Sequence, residues 1–128
     1  MGMLAGFSPP AAPEENRPMI EDSDRVRAAI TRYRIRILEL ALKLYRLDTA
    51  YYPGTGQGLA ALIKKPDAGV GLARWRGPYL DATSIPPDGW GHPFEYTFES
   101  GEFEIFSLGA DGKMGGAGFN ADISSKDF

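Results

Sequence analysis

DRVRAAITRYRIRILELALKLYRL, residues 24–47, is the stretch on which the fold turns. Val26, Ile30, Tyr33, Ile37, Leu40, Leu44 and Leu47 recur at alternating steps of four and three, which places all seven on one stripe of an α-helix. Asp22 or Ser23 supplies a cap, because a short side-chain oxygen accepts from the orphan amides of a first turn. The spacing predicts a helix over 24–47, about 36 Å long at roughly 1.5 Å per residue. Arg25, Arg27, Arg32, Arg34 and Arg36 make the other face of its first half basic. Ile35, Leu38, Leu42 and Tyr45 widen the apolar surface of its second half. That half is expected beneath the body of the protein, with the first half projecting. A coiled coil is a weaker use of the stripe, since three heptads lack alternating e/g charges.

Beyond the helix, Tyr51-Tyr52-Pro53-Gly54 forces a stop, because proline cannot continue a helix and biases the residue before it to extended backbone. Thr55 is placed to cap a second, short helix over 57–65 with Leu59, Leu62 and Ile63 inward, ended by Pro66. Residues 67–74 read as a loop. From Trp75 to Pro93 four prolines and five large apolar residues predict irregular packing pinned by aromatics. His92, the only histidine, stands in the Trp90-Gly91-His92-Pro93 turn and reads as structural.

The clearest β signal is 94–107. Phe94, Tyr96 and Phe98 alternate with Glu95, Thr97 and Glu99; Ser100-Gly101 makes a two-residue turn; Phe103 and Ile105 alternate with Glu102 and Glu104. This predicts an antiparallel hairpin whose greasy face covers the buried half of the helix. The glutamates read as its wet face rather than as acid–base catalysts.

The last patterned segment is SLGADGKMGGAGFNADI, 107–123, with five glycines and little apolar content. Glycine loses the most freedom on ordering, so something other than packing must fix this segment if it is fixed at all. Asp111, Asn120 and Asp122 carry oxygens on a permissive backbone, which suits a hard cation such as calcium. The other reading is a turn-rich loop with no ion. The spacing is not that of an EF-hand, which needs ligands on alternate residues of a 12-residue loop.

Bulk properties narrow the class. The chain has 128 residues, room for one domain with a modest core, and ten prolines with sixteen glycines imply long irregular stretches. It has no cysteine, hence no disulfide, thiolate site or thiol nucleophile. Gly-x-Ser-x-Gly, phosphate-loop and zinc motifs are all missing, so an enzyme is disfavoured. Residues 25–46 hold six Arg and one Lys against Glu39, a net +6 that leaves −9 elsewhere for a total of −3. A basic rod on an acidic body suits head-to-shaft contacts between copies, although any one of these arginines reads first as solvated surface. No apolar run reaches the roughly 20 residues needed to span a bilayer. Residues 1–20, with Pro9, Pro10, Pro13 and Pro18, read as disordered or introduced for expression, leaving one globular unit over 21–128.

Several blocks in order, LYRLDTAYYPGTGQGLAALIKKP, RGPYLD, PPDGWGHPFEY and FEIFSLGADGKMGGAG with NADI, resemble the major pseudopilins (protein G) of bacterial type II secretion systems over about 33–123. The resemblance implies an α+β, type IV pilin-like fold, a long N-terminal helix on a small antiparallel sheet. It implies a subunit that leaves the inner membrane and polymerises, with other pseudopilins and an inner-membrane platform, into a periplasmic pseudopilus that pushes folded proteins through the outer membrane. It also implies Ca2+ in the closing loop: carboxylates from Asp111 and Asp122, the Leu108 carbonyl, and Asn120, which stands where many members carry aspartate and so subtracts a charge. Residues 1–18 stand in place of the membrane segment and leader, read as a truncation that leaves a soluble domain, and the tail SSKDF replaces the family's Gly-Asn-Trp. The alternative is a pilin-like minor subunit or adhesin that binds through exposed aromatics such as Trp75, Tyr79 and Trp90, which a contiguous aromatic patch would reveal.

Overall fold

A computed structural model describes residues 19–128 along the main chain and 22–128 in side-chain detail. The 1–20 segment therefore lies almost wholly outside the described residues. Helix α1 runs Met19–Thr49, 31 residues without a glycine or proline. It starts five residues before the expected boundary, so Asp22 and Ser23 lie within it rather than capping it. At its other end Ala50 adopts a left-handed φ of 73°. The Thr49 hydroxyl lies 2.9 Å from both the Tyr45 and Tyr51 carbonyls and accepts from the Tyr51 amide at 3.2 Å, closing the helix end ahead of Pro53.

The face that α1 buries is not the stripe that hydrophobic spacing selects. Ala28, Thr31, Ile35, Leu38, Ala41, Leu42, Tyr45 and Thr49 are buried. Val26, Tyr33, Leu40, Leu44 and Leu47 are exposed, Leu40 at 60% and Leu47 at 79%. Ile30 and Ile37 are half-buried. The sequence carries two stripes of the same 3.5 period, set one or two residues apart and hence on roughly opposite sides of the helix. The buried one contains small and hydroxyl-bearing residues that a count of large apolar side chains passes over. Its first half is also docked on the body: a Cβ on Gly89 would stand 2.1 Å from the Arg27 carbonyl oxygen, so the 88–91 turn lies directly on the helix backbone. The expectation of a projecting first half is corrected accordingly.

Strands β1 (Glu95–Glu99) and β2 (Glu102–Ser107) pair antiparallel in the register Tyr96↔Ile105 and Phe98↔Phe103, which puts the apolar set on one face. Ser100 (φ 54°) and Gly101 (φ 81°) make the tight turn, both left-handed as a two-residue hairpin loop of this kind requires. A third strand, β3 (Ile123–Ser124), adds to β2 through Phe106↔Ser124 and Ser107↔Ile123. Phe94, Tyr96 and Ile105 pack with Ile35, Leu38, Leu42 and Tyr45 of α1, and Leu59, Leu62 and Leu72 complete the core.

The expected 57–65 helix is only a 3-10 turn, Leu59–Leu62, with Leu59 and Leu62 inward as anticipated. Gly58 preceding it has φ 67°, outside the helical region, and no side chain caps the turn. Thr55, read as that cap, instead reaches the sheet: its Oγ1 accepts from the Phe98 amide at 2.9 Å and lies 3.2 Å from the Phe98 carbonyl. Trp75 and Tyr79 meet edge to face at 5.6 Å against the core. The Trp75 indole donates to the Ala61 carbonyl and the Tyr79 hydroxyl donates to Asp48. These rings are spent on packing rather than displayed.

Candidate functional site

The closing loop, 107–122, joins β2 to β3, and its two limbs fold onto each other. The Ala110 amide donates to the Phe119 carbonyl at 2.8 Å. Gly109 (φ 82°) and Gly116 (φ 102°) both press against Asn120, where an added Cβ would stand 2.8 and 2.6 Å from its carbonyl oxygen. No L side chain fits either position at that φ, so these two glycines are what lets the limbs close. Asp111 Oδ1 accepts from the Lys113 amide at 3.0 Å, and Asp122 Oδ1 accepts from the Gly115 amide at 3.1 Å. Two carboxylates eleven positions apart in sequence thus converge on one three-residue turn, each with a second oxygen not held by these bonds. Asn120 is exposed on the opposite limb and Leu108 is half-buried at the loop's entry.

By residue type this donor set fits a hard cation of the calcium type: two carboxylates, one amide oxygen and main-chain carbonyls, all oxygen, at a solvent-accessible position. Among the described residues no group of three His, Cys, Asp or Glu side chains could hold a metal. A site here would lean on main-chain oxygens and Asn120.

A second feature stands apart from the loop. The exposed stripe of α1 is flanked by Arg27 and Arg32, both exposed and outside the ion pairs Arg25–Asp22, Arg36–Glu39 and Lys126–Glu102. The solvent face of the hairpin carries Glu95, Glu99 and Glu102, with Glu99 directly opposite Glu102. Like charges facing each other across a strand pair destabilise the pair. Among the described residues Arg27, Arg32, Glu95 and Glu99 stand outside the ion pairs, while Glu102 is paired with Lys126.

The C-terminal tail is anchored to the body. Ser125 Oγ accepts from the Ile105 amide at 3.0 Å. The Lys126 amide donates to Ser124 Oγ, and Asp127 accepts from the Ser124 amide, forming a capping box. The Arg36 guanidinium lies 4.6 Å from the centre of the Phe128 ring, which ties the tail to α1.

Residues 18–126 match the family model of the type II secretion system (T2SS) protein G. The chain belongs to the T2SS protein G family. It is 37% identical over 130 residues to the type II secretion system core protein G of Pseudomonas aeruginosa, covering 99% of this chain and 85% of that one. The Vibrio cholerae core protein G is 36% identical over 127 residues, covering 98% and 81%. Among solved structures, the major pseudopilin of the type 2 secretion system of enterohaemorrhagic Escherichia coli superimposes with a TM-score of 0.67 at 27% identity, over 86% of this chain and 95% of that one. The protein G fold, a long helix on a small antiparallel sheet, is therefore the fold of this chain. No helix among the described residues is long and apolar enough to cross a membrane.

Reasoning from spacing missed three residues in this region: Thr31, Asp88 and Gly89. Thr31 was legible as a hydroxyl in the first half of the buried 3.5-period stripe. Asp88 lies in PPDGWG, where Asx and glycine together signal a side chain turned back on its own turn.

Proposed function

We infer that this chain is a structural, non-enzymatic subunit of a T2SS pseudopilus, which polymerises to help move folded proteins across the outer membrane. In the full assembly the globular part would stand in the periplasm, held to the inner membrane by an N-terminal segment and meeting other pseudopilins and the platform there. The observation that carries this reading is the two-sided helix. About 46 Å of α1, at roughly 1.5 Å per residue, buries one face in its own body and leaves the opposite face apolar and uncovered from Val26 to Leu47. A subunit alone gains nothing from that face, whereas packing against a neighbouring copy would remove it from water. Charge complementarity favours the same neighbour: the unneutralised arginines of one copy suit the acidic hairpin face of another.

Leu44→Glu tests this. The substituted residue sits on the uncovered face, so the melting temperature of the variant should stay close to that of the parent, while cross-linking into oligomers should fall by an order of magnitude. A variant that oligomerises like the parent would remove this face from the assembly.

We further propose that Ca2+ occupies the closing loop through Asp111, Asp122, Asn120 and the Leu108 carbonyl. The convergence of both aspartates on the 113–115 turn supports it. The ion would neutralise the two carboxylates and hold the limbs together, ordering a segment that hydrophobic burial does not.

The alternative of an adhesin or binding module has less behind it. Trp75, Tyr79 and Trp90 are partly buried, and each donates a hydrogen bond into its own subunit.

A further inference from the structure

Asp88 is 1% exposed, and the groups that donate to its carboxylate are neutral. Its Oδ1 accepts from the amides of Trp90 and His92, each at 2.9 Å, and its Oδ2 accepts from Ser107 Oγ at 2.6 Å. Its own amide donates to the His92 carbonyl at 2.8 Å. A buried carboxylate costs free energy unless its lone pairs are filled, so these donors are held in place as much as they hold it.

The network leads in two directions. Toward the closing loop, Ser107 Oγ accepts from the Gly109 amide at 3.1 Å, and Gly109 is the glycine packed on Asn120. His92 lies on the same side, with its ring about 3.1 Å from where a Cβ on Gly112 would stand. Toward the helix, the turn that Asp88 shapes is fixed at four successive positions on one face of α1. The Trp90 indole donates to Asp24 Oδ1 at 2.8 Å. Gly89 lies against the Arg27 carbonyl, and its amide donates at 2.8 Å to Thr31 Oγ1, itself fully buried. Arg34 Nη1 donates to the Pro87 carbonyl at 2.8 Å.

We propose that Asp88 is the joint through which the closing loop and residues 24–34 of α1 are energetically coupled, so that ordering one orders the other. Ion binding in the loop would then stiffen the helix arm that flanks the exposed assembly face, and assembly on that face would in turn tighten ion binding, since coupling between two sites is reciprocal. The calcium half of this statement rests on the loop reading above; the coupling itself does not.

Hydrogen exchange on the full chain, without any added cation, tests the coupling. Ser107→Ala removes the link on the loop side; it lowers stability by stripping a donor from the buried Asp88 carboxylate, and far-ultraviolet dichroism should confirm that the fold is kept. It should speed amide exchange several-fold at 24–31, some distance from the substituted site, while 38–45 in the core stays protected. Thr31→Val removes the link on the helix side and should speed exchange at 109–112 in the same way. The double variant should be less destabilised than the sum of the singles, because each breaks the same path. Unchanged exchange at 24–31 in Ser107→Ala, or strictly additive singles, overturns the proposal. The 3-10 turn Gly118–Asn120 also touches α1 directly. Coupling carried by that contact would leave both variants silent and would likewise exclude the joint. Adding calcium to the parent chain then tests the other half. Protection rising in both segments supports the ion as the input. Absence of any calcium response contradicts the loop reading alone and leaves the exchange result standing.

Discussion

Two residues carry sharp consequences. The Tyr96 hydroxyl donates to the Pro53 carbonyl at 2.6 Å inside the core, and burial, with smaller contributions from Tyr45 and Tyr52, pushes its pKa well above the ordinary 10.0. A raised pKa in the folded state means that the native protein keeps this proton after the unfolded chain has released it. Its contribution is complete below about pH 10 and is lost as pH rises beyond that. Alkaline unfolding should therefore steepen above about pH 10, with Tyr45, whose pKa burial also raises, adding to it. Tyr96→Phe should cost about 1 kcal/mol at neutral pH and flatten the alkaline fall; an unchanged alkaline slope would place the titration elsewhere. Asp111 is the other. If the loop binds calcium, stability rises by RT ln(1 + [Ca]/Kd), so millimolar calcium should raise the melting temperature over that in chelator. Asp111→Ala should abolish most of the rise, and Asn120→Asp, adding a carboxylate, should enlarge it. Equal shifts in all three proteins would contradict the ligand set.

At the scale of elements, the sequence was legible where one pattern had one meaning. The 94–107 alternation allows one register around Ser100-Gly101, and the observed pairs are those it implies. Strand β3 was not legible, because two residues carry no periodicity and their pairing depends on where the closing loop returns them. The 57–65 helix failed because Gly54, Gly56 and Gly58 weaken its start and Thr55 found a better partner in the strand. Helix α1 was legible as a helix, and Ile35, Leu38, Leu42 and Tyr45 of its second half are buried as expected, but the seven-residue stripe from Val26 to Leu47 is not its core face. Two stripes of equal period compete, and Thr31, Ala28 and Ala41 are what let the 88–91 turn and the sheet come close. The distinction is measurable. Leu38→Ala, emptying a fully buried site, should cost about 2–5 kcal/mol, while Leu40→Ala on the uncovered face should change stability by less than about 0.5 kcal/mol. The reverse order would restore the face that spacing selected.

For the whole molecule, the two-sided helix and membership of the protein G family point to one role, a pseudopilus subunit, and the proposal is that its helix serves its own core and its neighbours at once. The candidate ion loop was visible in the sequence as residue types, while the placing of its two aspartates came only with the fold, since Asp111 and Asp122 accept from the amides of Lys113 and Gly115 in a segment of left-handed glycines whose conformation spacing does not encode. The most direct test is replacement. Residues 22–128 would be joined to the N-terminal segment of the Pseudomonas aeruginosa core protein G and expressed in a strain lacking that protein. The account predicts pseudopili and restored secretion, with both lost again in the Leu44→Glu form. A chimera that accumulates folded in the membrane but forms no filament and restores no secretion would contradict it.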